Sequence, residues 1–191
     1  MKNERRAGSP IEVRAGEDGI TVEGHAATFN EWTDIGGMFR ERISPGAFAD
    51  SIKRGDDVVL LIEHDGLPLA RTRSGTLTLA EDDTGLLIRS SLSTEDPDVA
   101  RVAPKMQRGD LDKMSFAFMV RDEKWVEPDE GLPERTIERV DLVDVSIVTW
   151  PAYEGTDIAL RSMREAIGGS HQAIKARNAA RIKLLSFTNS G

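Results

Sequence analysis

The sequence predicts a β-rich α+β fold, namely a mostly antiparallel β-barrel, closed or partly closed, with a few helices on its outside. About six to eight segments have the alternation or composition of strands, and only two or three have helical spacing. Strands and helices do not alternate regularly, as a doubly wound parallel sheet would require. With 191 residues the chain is long enough for one main domain with a substantial core.

The first elements are a hairpin and a short helix. Residues 11–29 alternate between apolar and polar side chains around a turn, which predicts a hairpin with one buried face. In "RISPGAFADSIKRG", Ser44 can cap a helix and Pro45 can occupy its first position. Gly55 then ends the predicted helix.

A buried strand and a second hairpin follow. The stretch "DVVLLIEHD", residues 57–65, is almost continuously apolar before its acidic end and predicts a buried strand. Residues 75–82 and 84–92 are rich in β-formers and are joined by acidic residues, Thr and Gly, a combination typical of a hairpin.

The second half of the domain contains one helix and two long strands. Residues 97–109 have apolar side chains at helical spacing, with Pro104 as a possible kink and a glycine at the end. Residues 113–125 and 135–150 predict long strands, and Pro151 closes the second of them.

Charge divides the chain into a main domain and two ends. Residues 1–10 and 161–191 together hold nine of the 25 basic side chains and only two of the 33 acidic ones. Residues 11–160 therefore hold 16 bases against 31 acids, a net charge of −15. We expect a basic N-terminal tail, a β-barrel domain over 11–160, and a basic C-terminal segment that docks elsewhere or is cleaved from the chain. Helical patterns within 157–186 are interrupted by "GGS".

Composition also excludes several classes of function. The chain has no cysteine, which excludes disulfides, thiol nucleophiles and thiolate metal sites. No stretch approaches the roughly eighteen apolar residues of a membrane span, and the first ten residues lack the apolar core of a secretory signal, so we expect a cytosolic protein. The acidic main domain would repel phosphate backbones, so nucleic acid is not an expected partner.

Three side chains are candidates for chemistry. His64, at the end of a predicted strand, has the placement of a general base, although a backbone carbonyl or a neighbouring acid would also satisfy it. Ser115 begins a strand on the side of small residues, and it needs an adjacent base to act as a nucleophile. Asp144 interrupts an apolar strand, where it could accept from His64 or could instead face water or an arginine.

Other candidates carry weaker signals. His25 falls on the polar side of its strand and is expected to be structural or exposed. Metal binding by His25, His64, Glu63 and Asp65 lacks the ligand spacing of a known site, so no metal or cofactor is expected. The sequence also lacks a phosphate loop, a dinucleotide glycine fingerprint and a G-x-S-x-G elbow.

Five ordered stretches, spread over about residues 20–160, together resemble a known family. They are "GHAATFNE", "FRERISPGAF", "EHDGLPLARTRSGTLTLAEDDTGLLI", "RGDLDKMSFAF" and "VDLVDVSIVTWPAY". In this order and with these separations they resemble the prohead, or capsid maturation, proteases of tailed phages, a family distantly similar in fold to herpesvirus assemblin. The resemblance therefore implies a serine endopeptidase with a herpesvirus-protease-like fold.

The resemblance also implies roles for three residues. His64 and Ser115 match the family's catalytic histidine and serine, and Asp144 matches its candidate third member. Glu63 stands where asparagine is common, Ala117 where glycine is common, and Asp144 where glutamate is common. Assemblin uses a second histidine as the third member, and for that role His25 is the alternative to Asp144 here.

The resemblance further implies the substrates and the setting. These are a scaffolding protein or the scaffold region of the major capsid protein, cleaved inside the immature capsid in the host cytoplasm, or in a bacterial cytoplasm if a prophage encodes the chain. A homodimer is suggested by analogy with assemblin. Two alternatives remain open at this point: a noncatalytic scaffold or assembly factor of the capsid, and a metal hydrolase.

Overall fold

A computed structural model describes residues 3–16, 19–150, 159 and 161–167 of the chain. Strands dominate this described part, as the sequence predicts, and the β-rich α+β class is confirmed. The strands are β1 (Glu4–Ala15), β2 (Ile20–Thr28), β3 (Thr33–Ile35), β4 (Phe39–Ile43), β5 (Val59–Ile62), β6 (Asp65–Arg71), β7 (Leu77–Glu81), β8 (Gly85–Leu92), β9 (Lys113–Val126) and β10 (Glu134–Val148). The helices are α1 (Ala49–Arg54) and α2 (Pro97–Gln107).

The strands form one mixed sheet with β10 near its centre. Eight strands follow the order β3-β4-β10-β9-β1-β2-β8-β7. The other two, β5 and β6, pair with each other, and β5 also pairs with β10. On the side away from β9, the first part of β10 pairs with β4 and its last part pairs with β5, both in parallel. The remaining pairings are antiparallel.

Of the predicted closed or partly closed barrel, the closed form is wrong, because the sheet is not closed into a barrel. Within the described residues, β3 pairs only with β4 and β7 pairs only with β8, so the two ends of the sheet do not meet. Periodicity in a sequence identifies strands and their buried faces, but closure depends on stagger and tilt between strands far apart in the chain. The sequence contains no local signal for either quantity.

The first helix begins later than predicted, whereas α2 begins at Pro97 as the sequence predicts. The helix predicted to begin at Pro45 begins four residues later, at Ala49, after a turn that buries Phe48. Gly55 ends it with φ of 70°, in the left-handed conformation expected of a helix C-cap. In α2, Asp96 accepts from the Asp98 N–H as an N-cap, and Pro104 lies inside the last turns.

The core lies on one face of β9. Phe116 and Phe118 stack with ring centroids 5.0 Å apart, and Phe48 meets Phe116 edge-on at 5.6 Å. Because successive side chains of a strand point to opposite faces, Ser115 and Ala117 lie on the other face of β9. All four of these β9 residues are buried.

Part of the predicted N-terminal tail belongs to the sheet. Strand β1 begins at Glu4, so the expected boundary at residue 10 falls inside the strand, and a bulge interrupts its pairing with β9 between Ala7 and Pro10. Arg135, on β10, ties the beginning of β1 to its neighbours, donating to Glu4 at 2.7 Å and to Glu41 at 2.7 Å. Arg6 donates to Glu41 at 2.6 Å, and these four side chains are almost completely buried.

The beginning of the predicted C-terminal segment contacts the main domain. Residues 161–167 are helical, and Met163 and Trp125 pack against the buried cluster of Ile35, Phe39 and Ala159. Trp125 Nε1 donates to Ser162 Oγ at 3.2 Å. The remainder of the segment, including most of the helical pattern predicted over 157–186, lies outside the described residues.

Candidate active site

His64 lies in a tight turn rather than at the end of a strand. Strand β5 ends at Ile62 and β6 begins at Asp65, which leaves Glu63 and His64 as the two central residues of a hairpin. Both have positive φ, 53° and 58°, as a two-residue type I′ turn requires. A non-glycine residue with this backbone conformation destabilises the folded state by about 1–3 kcal/mol. Other contacts must therefore hold the turn.

Those contacts come from strand β10. The Glu63 N–H donates to the Ile147 carbonyl at 3.0 Å, and the Glu63 carboxylate accepts from the Thr149 N–H at 2.7 Å. Asparagine, which is common at this position in the family that the sequence resembles, tolerates the left-handed conformation by itself. In this chain the side chain of Glu63 instead ties the turn to the end of β10.

Ser115 and Asp144 come from neighbouring strands, and a bulge places them on one face. In the pairing of β10 with β9, Leu142 lies opposite Phe118, whereas Asp144 lies opposite Ala117 and Ser146 lies opposite Ser115. The one-residue shift after Leu142 is a bulge, and it moves the following side chains of β10 to the other face. Asp144 therefore faces the same side as Ser115.

The three predicted residues are in contact through the imidazole of His64. His64 Nδ1 lies 2.6 Å from Asp144 Oδ1, and His64 Nε2 lies 2.7 Å from Ser115 Oγ. With the ring proton on Nδ1, the carboxylate accepts it and the Nε2 lone pair faces the serine hydroxyl. This arrangement can remove a proton from Ser115 and stabilise the imidazolium that forms.

A fourth polar side chain, which the sequence analysis missed, joins this group. Ser146 Oγ donates to Asp144 Oδ1 at 2.9 Å and lies 3.1 Å from His64 Nδ1. The sequence did contain a signal for it, because residues two apart on a strand share a face. That signal is not specific, because a serine within a strand has many structural explanations.

The site is closed to solvent by its surroundings. Ser115 is 0% exposed, and the side chains of His64 and Asp144 are 3% and 9% exposed. Ser115 Oγ also lies in donating position 2.9 Å from the Arg6 carbonyl of β1. Because a hydroxyl carries one proton, Ser115 donates to either Arg6 or His64 at a given moment. Because Ser115 is fully buried, a peptide could reach it only after its surroundings move.

The other residues considered in the sequence lie elsewhere. His25 Nε2 lies 2.9 Å from an oxygen of Asp82, beside the β7–β8 turn. The hydrogen bond from His25, together with those from the Gly85 and Thr84 N–H groups, lowers the pKa of Asp82 to about 2. Within the described ranges, no three His, Asp or Glu side chains are grouped so that they could hold a metal ion.

This serine-histidine-aspartate arrangement is the one that serine peptidases use, and the sequence comparisons give the family. The caudovirus prohead serine protease family matches residues 9–167. The chain belongs to this family, and the resemblance found in the sequence is confirmed.

One curated relative and one solved structure describe the likeness further. The chain is 32% identical over 147 residues to the prohead protease of Enterobacteria phage HK97. This alignment covers 75% of the chain and 60% of the relative, so the chain spans about 60% of that protein's length. The capsid assembly protease of bacteriophage T4 superimposes with a TM-score of 0.53 over 78% of this chain and 98% of its own, at 12% identity, which is a likeness of fold.

None of the helices in the described part of the chain has both the length and the apolar composition to cross a membrane.

Proposed function

We propose that the protein is a serine endopeptidase of phage capsid maturation, in which Ser115 is the nucleophile, His64 the general base and acid, and Asp144 the residue that orients His64. The observation that carries this proposal is the pair of contacts to one imidazole, 2.7 Å to the hydroxyl and 2.6 Å to the carboxylate. Family membership supports the reaction class.

The proposed reaction follows from these contacts. His64 Nε2 takes the hydroxyl proton as Ser115 Oγ attacks a peptide carbonyl, and Asp144 stabilises the charged ring through Nδ1–H. His64 then gives the proton to the departing amine, which leaves an acyl group on Ser115. Water, deprotonated by the same nitrogen, releases the acyl group and restores the hydroxyl.

The proposed substrates are a scaffolding protein or the scaffold region of the major capsid protein, within the immature capsid. The support is membership in a family of prohead proteases and the likeness to a prohead protease of a phage. Nucleic acid and membranes are not part of the proposal, and dimerisation is included by analogy with assemblin. The basic C-terminal segment is proposed to dock the protease or to be cleaved by it.

Intact-mass measurement tests the proposal. The chain is expressed alone and with its capsid protein, beside Ser115→Ala and His64→Ala, with Ser90→Ala as the control, because Ser90 is a buried strand serine that donates to the Thr76 carbonyl. We expect defined cleavage of the chain or its partner in the wild type and control, and a loss of about 10⁶-fold in the other two. Equal cleavage in all four would remove Ser115 and His64 from the mechanism.

A noncatalytic assembly factor is the second candidate, and the complete burial of Ser115 favours it. The two candidates differ in their reaction with a fluorophosphonate probe inside assembled proheads. If the protein is a peptidase, the probe labels Ser115 there. If it is an assembly factor, the probe does not label it, and the Ser115→Ala variant supports assembly as well as the wild type does.

A further inference from the structure

Ser146 makes contacts that a structural serine of a strand does not need. Its hydroxyl donates to Asp144 Oδ1 at 2.9 Å and lies 3.1 Å from His64 Nδ1. Most buried serine hydroxyls satisfy themselves on nearby backbone carbonyls, as Ser90 does with Thr76. Both contacts of Ser146 are instead to side chains that the proposed reaction uses.

The position of Ser146 makes these contacts rigid. It lies on β10 between two paired strands, opposite Leu61 of β5 and Ser115 of β9, and it is 0% exposed. Asp144 follows a bulge, where the ladder of backbone hydrogen bonds is interrupted. A carboxylate held by one donor can still turn about its side-chain bonds, and Ser146 supplies a second donor.

We propose that Ser146 is a positioning residue of the active site, which holds the Asp144 carboxylate in the plane where it accepts the Nδ1 proton of His64. Oδ1 then receives two hydrogen bonds, one from Ser146 Oγ and one from His64 Nδ1. Since Nδ1 keeps its proton, the Nε2 lone pair stays directed at Ser115. Ser146 itself exchanges no proton with the substrate. This inference rests on the proposed function and adds a residue to the same site.

The first experiment measures labelling of Ser115 by a fluorophosphonate probe inside assembled proheads, in a double-mutant cycle. The variants are Ser146→Ala, Asp144→Ala and the two combined, with Ser90→Ala as the matched buried control. We expect Ser146→Ala to slow labelling by about 10-fold, by analogy with the lower end of the loss caused by removing an outer partner of a metal-bound histidine. In the Asp144→Ala background the same change has no further effect, because Ser146 acts through Asp144.

The second experiment reads the histidine directly and does not depend on enzyme activity. The chain has three histidines, so the Nδ1–H proton resonance of His64 can be assigned by comparison with His64→Gln. In Ser146→Ala we expect this resonance to broaden through faster exchange with water, whereas Ser90→Ala leaves it unchanged. Ser146→Cys, which keeps the shape with a weaker donor, serves as the variant to compare if Ser146→Ala does not fold.

The outcomes separate this inference from the proposed function. Broadening with non-additive labelling supports both. Broadening in a chain that the probe does not label even inside assembled proheads supports the positioning role and removes the peptidase. An unchanged resonance, or labelling losses that multiply in the double variant, overturns the positioning role of Ser146.

Discussion

At the scale of single residues, the site depends on how one imidazole is held. His64 lies in the β5–β6 turn with a positive φ, and a carboxylate oxygen of Asp144 lies 2.6 Å from its Nδ1. His25 forms a comparable pair with Asp82, at 2.9 Å, on the other part of the sheet. The two pairs differ in burial, and only the His64 pair has a serine hydroxyl, that of Ser115, at the second ring nitrogen of the histidine. The chain therefore contains its own control for histidine-aspartate pairing.

Replacing Asp144 with Asn tests the orienting role. The amide has the size of the carboxylate but carries no charge, and it favours the tautomer of His64 with its proton on the wrong nitrogen. We expect a loss of about 10⁴-fold in the rate at which a fluorophosphonate labels Ser115. Asp82→Asn, in the other pair, should leave that rate unchanged. Equal labelling of Asp144→Asn and wild type would show that Asp144 does not orient His64.

At the scale of elements, two connections bring the site together. The β5–β6 turn carries His64 to β10, and the bulge of β10 turns Asp144 towards Ser115. The beginning of β1 lies beside the same strands, with Ala7 paired to Ser115 and the Arg6 carbonyl at its hydroxyl. Each connection can be weakened without touching a side chain of the triad.

Glu63 variants test how the turn is stabilised. Glu63→Ala loses the bond to the Thr149 N–H and keeps the positive φ, so we expect a loss of about 1 kcal/mol in the free energy of unfolding. Glu63→Asn loses the same bond but suits the left-handed conformation, and it should be less destabilised than Glu63→Ala. Urea denaturation of both variants measures the difference. A more stable alanine variant would contradict this account of the turn.

Glu41→Ala tests the buried ion network that anchors β1. The carboxylate accepts from Arg6 at 2.6 Å and Arg135 at 2.7 Å, so its removal leaves two buried guanidinium groups with fewer acceptors. We expect a loss of about 3–5 kcal/mol in unfolding free energy, together with faster amide exchange in β1. Glu12→Ala, in an exposed pair with Arg14, is the control and should change little. Slow exchange in β1 of Glu41→Ala would contradict the anchoring role.

At the scale of the whole molecule, distant parts of the chain meet around β10. Its neighbours are β9 on one side and β4 and β5 on the other. The proposed triad takes one residue each from the β5–β6 turn, β9 and β10. Ion pairs between elements surround this centre, for example those of Asp141 with Arg54 and Arg121. The folded state therefore depends on the ionisation of many carboxylates.

Acid should destabilise the protein in a defined window. Hydrogen bonds from Arg121, His25 and Arg54 lower the pKa values of Asp141, Asp82 and Asp56 respectively, that of Asp82 to about 2. The unfolded chain, with ordinary carboxyl pKa values near 3.8, takes up protons first as the pH falls. The stability that these groups contribute is complete above about pH 5 and is lost between about pH 4 and pH 2.

Thermal unfolding as a function of pH measures this loss. The melting temperature should be flat above about pH 5 with respect to these groups and should fall steeply below pH 4, with a shallower fall in Asp82→Asn. An equal slope for Asp82→Asn and wild type would show that the pKa of Asp82 is not lowered in the folded state.

The sequence by itself determined most of the strands, the second helix and the family, because periodicity, caps and ordered motifs are local properties. It also named His64, Ser115 and Asp144, which the structure brings into contact. Only the tertiary structure decided that the sheet stays open, that β1 begins at Glu4, and that a turn rather than a strand end holds His64. The tertiary structure alone also decided the bulge before Asp144 and the contacts of Ser146 Oγ with Asp144 and His64. These features depend on register and pairing between segments far apart in the chain, and a one-residue shift changes which side chains meet.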